Sequence, residues 1–185
     1  MRDLIIWPNS ILTRPTVPVT KFDESLHELI DDMFAVMEKF GGAGLAAPQV
    51  GSNLSVIVYG CDGEKGHLVN PVLTPTPDAK IEETGEGCLS FPGVYVKVPR
   101  PNIFDLKWQD KNGDEQEDEF YGFLAIAIQH ELEHLDGKTI VSYLSSLKRD
   151  LVTRKMKKIQ RRRQLYMKQM KKMGKLDGLQ TPGKR

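Results

Sequence analysis

The chain has 185 residues and a net charge of +1, and 39% of its residues are hydrophobic and 28% charged. That length and composition are typical of a single soluble globular domain with a hydrophobic core. No stretch approaches the roughly 20 apolar residues that span a bilayer, so we expect no stable membrane insertion. The N-terminus lacks the apolar core of an export signal, and two cysteines are too few for a disulfide framework. We therefore expect a cytoplasmic location.

Helix signals flank the segment from 24 to 40. Asp23 is a suitable N-cap, apolar residues follow at helical spacing as far as Phe40, and glycines end the segment. Strand-like runs come next, at 54–59, 68–73 and 95–98. Phe104, Leu106 and Trp108 then alternate with polar residues, and Asn112-Gly113 provides a turn before a return strand. Together they predict a β-hairpin that ends near Tyr121.

Two further helices are predicted towards the C-terminus. The run from Phe123 to about Leu135 is apolar on every side at its start, which predicts a buried central helix ending before Gly137. Residues 147–173 predict a long basic helix with an interrupted apolar stripe. The segment 148–185 contains 15 Lys and Arg against two Asp, a net charge of +13, so the rest of the chain is acidic.

The sequence His130-Glu131-Leu132-Glu133-His134 lies in the predicted central helix. Histidines at i and i+4 project from one helix face, at the spacing that two imidazoles need to bind one metal ion. Glu131 can reach a metal-bound water as a general base. The alternative is a polar helix end with hydrogen-bonded histidines. Because the seven preceding residues are nearly all apolar, and burial of unpaired charge is costly, the pattern favours a metal site.

A catalytic metal usually has three protein ligands and one open position. In the common zinc proteases with this motif the third ligand lies downstream. Here no His or Glu follows His134, and Ile140 stands where their third histidine would be. Upstream, Cys88 is a candidate because the segment 87–92 around it contains Gly, Ser and Pro, which predict a bend with close backbone approach. Cys61 ends an apolar strand-like run and is interpreted as core.

A third segment, from Gly42 to Gly51, is rich in small residues. It lacks the Lys-Ser/Thr pair of a phosphate-binding loop. Its small side chains would let another backbone lie alongside, and Gln49 offers a neutral amide donor.

These three segments, in this order and at these spacings, resemble the three motifs of the peptide deformylases. Gly42 to Gln49 is similar to the first motif, Glu86 to Ser90 to the second, and Gln129 to Gly137 to the third. The resemblance implies an α+β fold, with antiparallel β-sheets packed around a central helix that carries the metal motif and with a long basic C-terminal helix.

The resemblance extends from about Leu4 to Leu147, and we interpret residues 1–147 as the catalytic domain. Residues 148–173 are then a basic C-terminal helix and 174–185 a flexible tail. Two positions depart from the family pattern: Glu133 stands where many members have Asp, and Gly41 where several have an acidic residue. The basic extension is also longer than in many members.

The resemblance implies that Cys88, His130 and His134 hold one divalent metal, normally Fe(II) in the family, with Zn, Ni or Co able to occupy the site. It further implies that Glu131 is the general base, acting on a metal-bound water of lowered pKa. The activity implied is hydrolytic removal of the formyl group from the N-terminal formyl-methionine of new proteins, with release of formate.

Two groups are expected to stabilise the oxyanion of this reaction. They are the Gln49 side chain and the backbone N–H of Leu89, although Gln49 could instead stabilise its loop. The peptide would be bound as an added strand by the backbones of Ala43, Gly44 and Gly87. The residues expected to line a pocket for the methionine side chain, or else to serve as core, are Phe123, Ile126 and Ala127. Arg100 is predicted to be a structural ion-pair partner.

The basic helix could bind RNA phosphates or an anionic membrane. The resemblance favours the ribosome, with sequence-independent contact to the RNA backbone, because the substrate is a nascent peptide. Two alternatives to the deformylase are a metalloprotease that uses the same histidines, and a ribosome- or nucleic-acid-binding protein with a structural metal. The protease would need a third metal ligand downstream of His134, and none is present. A structural metal site would need a fourth protein ligand, and no further Cys or His is suitably placed.

Overall fold

The computed structural model describes residues 2–77 and 79–173, and the predicted flexible tail at 174–185 lies outside them. Three α-helices are present: α1 (Glu24–Phe40), α2 (Gly122–Leu135) and α3 (Ser146–Lys172). Seven strands are present: β1 (Gly44–Ala46), β2 (Val56–Cys61), β3 (Glu64–Pro75), β4 (Ile81–Gly87), β5 (Tyr95–Pro101), β6 (Ile103–Gln109) and β7 (Glu115–Tyr121). Short 3₁₀ helices occupy Ser10–Thr13, Ala47–Val50 and Ile140–Tyr143.

Helix α1 begins and ends where its sequence signals predicted. The Asp23 side chain accepts a hydrogen bond from the backbone N–H of Ser25, and Gly41 adopts the left-handed conformation at the C-terminus, with φ of 66°. The predicted apolar face is buried as far as Met37, but Phe40 is 43% exposed. Phe40 borders a surface cleft rather than the core.

All strand pairs within the two sheets are antiparallel. One sheet has five strands in the order β1-β2-β3-β6-β7, and the other consists of β4 and β5. The predicted hairpin at Asn112-Gly113 joins β6 to β7, and Gly113 takes a φ of 94° there. Strand β1 pairs only with β2, and β4 only with β5, so each has one backbone edge without a strand partner in the described sheets.

The five-stranded sheet separates two apolar cores. Because side chains alternate along a strand, Val56 and Val58 pack with α1 on one face of the sheet, while Ile57 packs with α2 on the other. The predicted α+β fold with sheets around a central helix is therefore confirmed. The expectation that α2 is buried on every side is wrong for Phe123, which is 53% exposed, and for Ile126, which is half-buried. Both residues face the cleft instead.

A third core joins the small sheet to the C-terminal helix. Phe91 and Val98 pack there with Met156 of α3, which is fully buried. Two polar contacts add to this packing: Trp7 Nε1 donates to Thr153 Oγ1 at 3.0 Å, and Lys155 Nζ donates to the Gly93 carbonyl at 2.6 Å. The inner side of α3 is thus part of the folded body. None of the helices in the described part of the chain is long and apolar enough to cross a membrane.

Candidate active site

The three predicted ligands come from two remote parts of the chain and meet in the structure. Cys88 directly follows β4, while His130 and His134 lie one turn apart on α2. The possible ligand atoms of these residues all lie within 4.8 Å of one another, and Cys88 Sγ is 3.3 Å from His134 Nε2. Both histidines are at most 8% exposed. A thiolate and two imidazoles arranged in this way form a group that can hold one metal ion.

Glu86, whose role was not predicted from the sequence, orients one of these histidines. Its Oε2 lies 2.8 Å from His130 Nδ1, and Arg100 donates to both of its carboxylate oxygens, at 2.7 and 2.9 Å. Burial alone would raise the pKa of Glu86, but the hydrogen bonds from Arg100 and His130 lower it to about 2. The ionised Glu86 therefore accepts the Nδ1 proton, which leaves the His130 Nε2 lone pair available to a metal.

The electrostatics of the cluster favour a cation. Burial lowers the pKa of His130. Cys88 and Glu86 raise this pKa by more than burial lowers it, so that it lies well above its usual value. Burial lowers the pKa of His134, so its imidazole stays uncharged and can offer a nitrogen lone pair to a metal. Positive charge is therefore stabilised beside Cys88 and Glu86, and a divalent metal ion in place of the His130 Nε2 proton would supply it, so the residues fit such an ion.

Glu131 lies beside the ligands with its side chain buried. It is 5% exposed, and among the described residues its Oε2 has no hydrogen-bond partner. Burial raises the pKa of Glu131 to about 7. A buried carboxyl with a free oxygen and a pKa near neutrality is suited to accept and return a proton.

Gln49 and Leu89, the predicted oxyanion donors, both lie next to Cys88. Gln49 Oε1 accepts the backbone N–H of Ala46 at 2.8 Å, so part of this amide does stabilise its own loop. Its Nε2 donates to Ser90 Oγ at 3.2 Å and lies 3.6 Å from Cys88 Sγ. Leu89 follows Cys88 in the chain and lines the cleft. The contacts place the Gln49 amide beside the candidate ligands, and the oxyanion role of both groups stays a prediction.

A cleft of about 840 Å³ opens above the ligands, a volume typical of small-molecule and peptide sites. Cys88, His130 and Glu131 line it, whereas His134 and Gln49 are buried and are not among the residues that line it. All six residues predicted to bind substrate also line the cleft, namely Ala43, Gly44, Gly87, Phe123, Ile126 and Ala127.

Other residues of the cleft were missed from the sequence. Tyr95, which is 80% exposed, lies over Gly87: a Cβ atom on that glycine would be 3.0 Å from the tyrosine ring. Ile159 and Arg163 of α3 also line the cleft, and Arg163 donates to the Leu4 carbonyl at 3.0 Å. No sequence signal distinguishes these two residues from the rest of the basic helix, because their position depends on how α3 packs.

Known proteins resemble this chain in both sequence and fold. A family model described as polypeptide deformylase matches residues 1–150. A peptide deformylase from Maricaulis maris is 40% identical over 166 residues, covering 87% of this chain and 95% of that protein. The solved peptide deformylase from Legionella pneumophila is 39% identical, with a TM-score of 0.81 over 88% of this chain and 97% of that one.

A peptide deformylase from Ehrlichia chaffeensis, solved in complex with actinonin, is 33% identical and has a TM-score of 0.82. The match covers 87% of this chain and 98% of that one. With the family model extending over most of the chain, both the sequence and the fold point to the same assignment. This chain belongs to the peptide deformylases, the metal-dependent hydrolases that remove the formyl group from N-terminal methionine.

Proposed function

We propose that this chain deformylates N-formyl-methionyl nascent peptides in the cytoplasm, with Fe(II) held by Cys88, His130 and His134. The observation that carries the proposal is the position of Glu131, buried beside the three ligands and facing the cleft. The metalloprotease and structural-metal alternatives are not favoured, because family membership identifies the class of reaction.

The free edges of β1 and β4 supply the peptide site. An extended peptide can pair with both backbones, at Ala43-Gly44 on one side and Gly87 on the other. Its first side chain would then contact Phe123, Ile126 and Ala127, which line the cleft. An apolar methionine side chain suits this lining, and burial of such a side chain contributes about 1.5–3 kcal/mol.

When bound, the metal would act as a Lewis acid that makes water a nucleophile near neutral pH, with Zn, Ni or Co as possible substitutes for Fe(II). Glu131 Oε2 accepts the proton of the attacking water and then donates it to the departing amine nitrogen, as the bond between the formyl carbon and that nitrogen breaks. Formate and the free amino terminus are the products. Gln49 Nε2 and the Leu89 N–H donate to the formyl oxygen as its negative charge develops.

The direct test is formate release from an N-formyl-methionyl peptide by protein prepared anaerobically and loaded with Fe(II). We expect turnover with Fe(II), and lower or equal turnover after loading with Zn, Ni or Co. The same peptide should remain intact at its peptide bonds. Cleavage of peptide bonds without formate release would support the protease instead, and a more active Zn form would reject Fe(II) as the preferred metal.

We further propose that the outer face of α3 binds ribosomal RNA. Opposite the buried Met156, exposed cationic side chains recur at helical spacing, for example Arg154, Lys158, Arg161 and Lys168. No aromatic platform accompanies them apart from Tyr166, so we expect phosphate contacts without sequence preference.

Reversal of three of these charges, at Arg154, Lys158 and Arg161, tests the contact. Ribosome affinity should fall and its salt dependence should become shallower, while formyl-peptide turnover is retained. Reversal of three exposed lysines of the body, Lys21, Lys80 and Lys138, is the matched control. Equal losses in both triple variants would show only an effect of net charge and would reject α3 as the docking surface.

A further inference from the structure

A chain of side chains connects the protein surface to one candidate metal ligand. Tyr143, in the 3₁₀ helix after α2, donates from its hydroxyl to Glu133 Oε1. Glu133 contacts Arg100 through both carboxylate oxygens, at 3.0 and 3.2 Å. Arg100 is bound in turn to both oxygens of Glu86, whose Oε2 meets His130 Nδ1. Five side chains are thus linked in series, and the last is His130.

Arg100 is the centre of this chain, and its orientation decides where Glu86 lies. Its guanidinium is planar, so contacts made along one edge fix the direction of the other edge. Glu133 binds through Nη1 and Nη2, while Glu86 binds through Nε and Nη2. The Tyr143 ring also lies 5.9 Å from Arg100 Cζ, in cation–π geometry. Tyr143 therefore lies close to the guanidinium. Its hydroxyl also orients Glu133, the carboxylate that binds the outer edge of that guanidinium.

The other histidine has no comparable support. Among the described residues, His134 Nδ1 is buried without a hydrogen-bond partner. Within the described residues, a hydrogen bond from outside the metal site therefore orients His130 but not His134. We propose that Tyr143 and Glu133 are positioning residues, which hold His130 in its metal-binding orientation through Arg100 and Glu86. This inference rests on the proposed metal site at Cys88, His130 and His134.

The experiment measures metal affinity in the full chain. Metal-free protein is titrated with Zn(II) in competition with a chromophoric chelator, and the Co(II) form is examined by visible absorption, which reports the ligand geometry. Loss of a group that contacts a metal-binding histidine typically costs about 10- to 100-fold in affinity. Because Tyr143 lies further from the metal, we expect Tyr143→Phe to weaken Zn(II) binding by roughly 3- to 10-fold and to shift the Co(II) bands.

A second position and a control complete the set. Glu133→Gln keeps the size of the side chain but loses its charge, and should weaken Zn(II) binding more than Tyr143→Phe does. Glu133→Asp keeps the charge, and should restore part of the affinity. Tyr166→Phe removes a hydroxyl from an exposed tyrosine of α3, and should change nothing. The thermal midpoint of each metal-free variant shows how far the fold itself is affected.

A purely structural role predicts a different result. If Tyr143 only anchors the segment between α2 and α3, Tyr143→Phe lowers the thermal midpoint of the metal-free protein and leaves Zn(II) affinity and the Co(II) spectrum unchanged. That result, or Zn(II) affinities in the Glu133 variants equal to that of Tyr166→Phe, overturns the inference. Cys88→Ala tests the metal site independently of Tyr143 and Glu133. Retained Zn(II) binding in Cys88→Ala would reject the proposed metal site, and with it the proposed function, rather than only the positioning role.

Discussion

The side chain of Glu131 fills the space that a Cβ atom on Gly44 would need. A methyl group at that position would lie 2.8 Å from Glu131 Cγ and 3.0 Å from its Oε1. A glycine in the first motif thus makes room for the carboxyl of the third motif. The requirement for glycine at Gly44 is one of close approach, because its backbone does not adopt the left-handed conformation.

Substitution of Gly44 by Ala should therefore displace Glu131, the proposed general base. We expect a loss of turnover of roughly 10- to 100-fold, since displacements of about 1 Å at a reacting group can have effects of that size. Gly60→Ala is a matched control, because its methyl group would also meet a side-chain atom at 2.8 Å. That atom is the flexible end of Met37, away from the ligands. Formate release by the two variants, measured side by side, checks this, and equal rates would contradict it.

Replacement of Glu131 by Gln should separate chemistry from metal binding. The amide has nearly the same shape but cannot accept the proton, so we expect turnover to fall by at least about 100-fold while the metal is retained. Metal analysis of the purified variant, together with its rate of formate release, provides the measurement. Loss of the metal together with activity would make Glu131 a ligand rather than the base.

Metal content should depend on Cys88 and not on the other cysteine. We expect one equivalent of transition metal per chain, lost in Cys88→Ala and in His134→Ala because a three-ligand site then retains only two protein ligands. Cys61→Ala is the control, since Cys61 ends strand β2 and is only partly buried, against the core on the α2 side of the sheet. Elemental analysis after anaerobic purification measures this. Full occupancy in Cys88→Ala would require a different third ligand.

Attachment of α3 to the body should depend on Met156. Its side chain is fully buried against Phe91 and Val98, so Met156→Ala should lower the free energy of unfolding by about 2–5 kcal/mol. Met173→Ala, at a position 56% exposed, should change it by less than about 0.5 kcal/mol. Urea denaturation of both variants gives the comparison. A small effect of Met156→Ala would mean that α3 contributes little to the stability of the body.

Much of the fold follows from local signals. The cap at Asp23, the turn at Asn112-Gly113 and the limits of α2 could be predicted because each depends on backbone geometry within a few residues. The i and i+4 spacing of His130 and His134 is likewise a property of one helix turn. Errors arose where burial depends on neighbours: the apolar face of α1 was expected to be buried as far as Phe40, and α2 on every side, yet Phe40 and Phe123 are exposed. The cleft position of Phe123 agrees with its prediction as a pocket residue, whereas that of Phe40 was not predicted.

The approach of Cys88 to the histidines does not follow from local signals, because it joins segments more than 40 residues apart. From the residues alone Cys88 was a candidate, and its assignment to the site came from the resemblance of three motifs. The contacts of Arg100 with Glu86 and Glu133 likewise arise only when β4 and β5 pack against α2. The sequence by itself therefore determined the helices, the hairpin and the chemical identity of the candidate ligands. Only the tertiary structure decided which side chains surround them, because distances between remote segments depend on packing across the whole core.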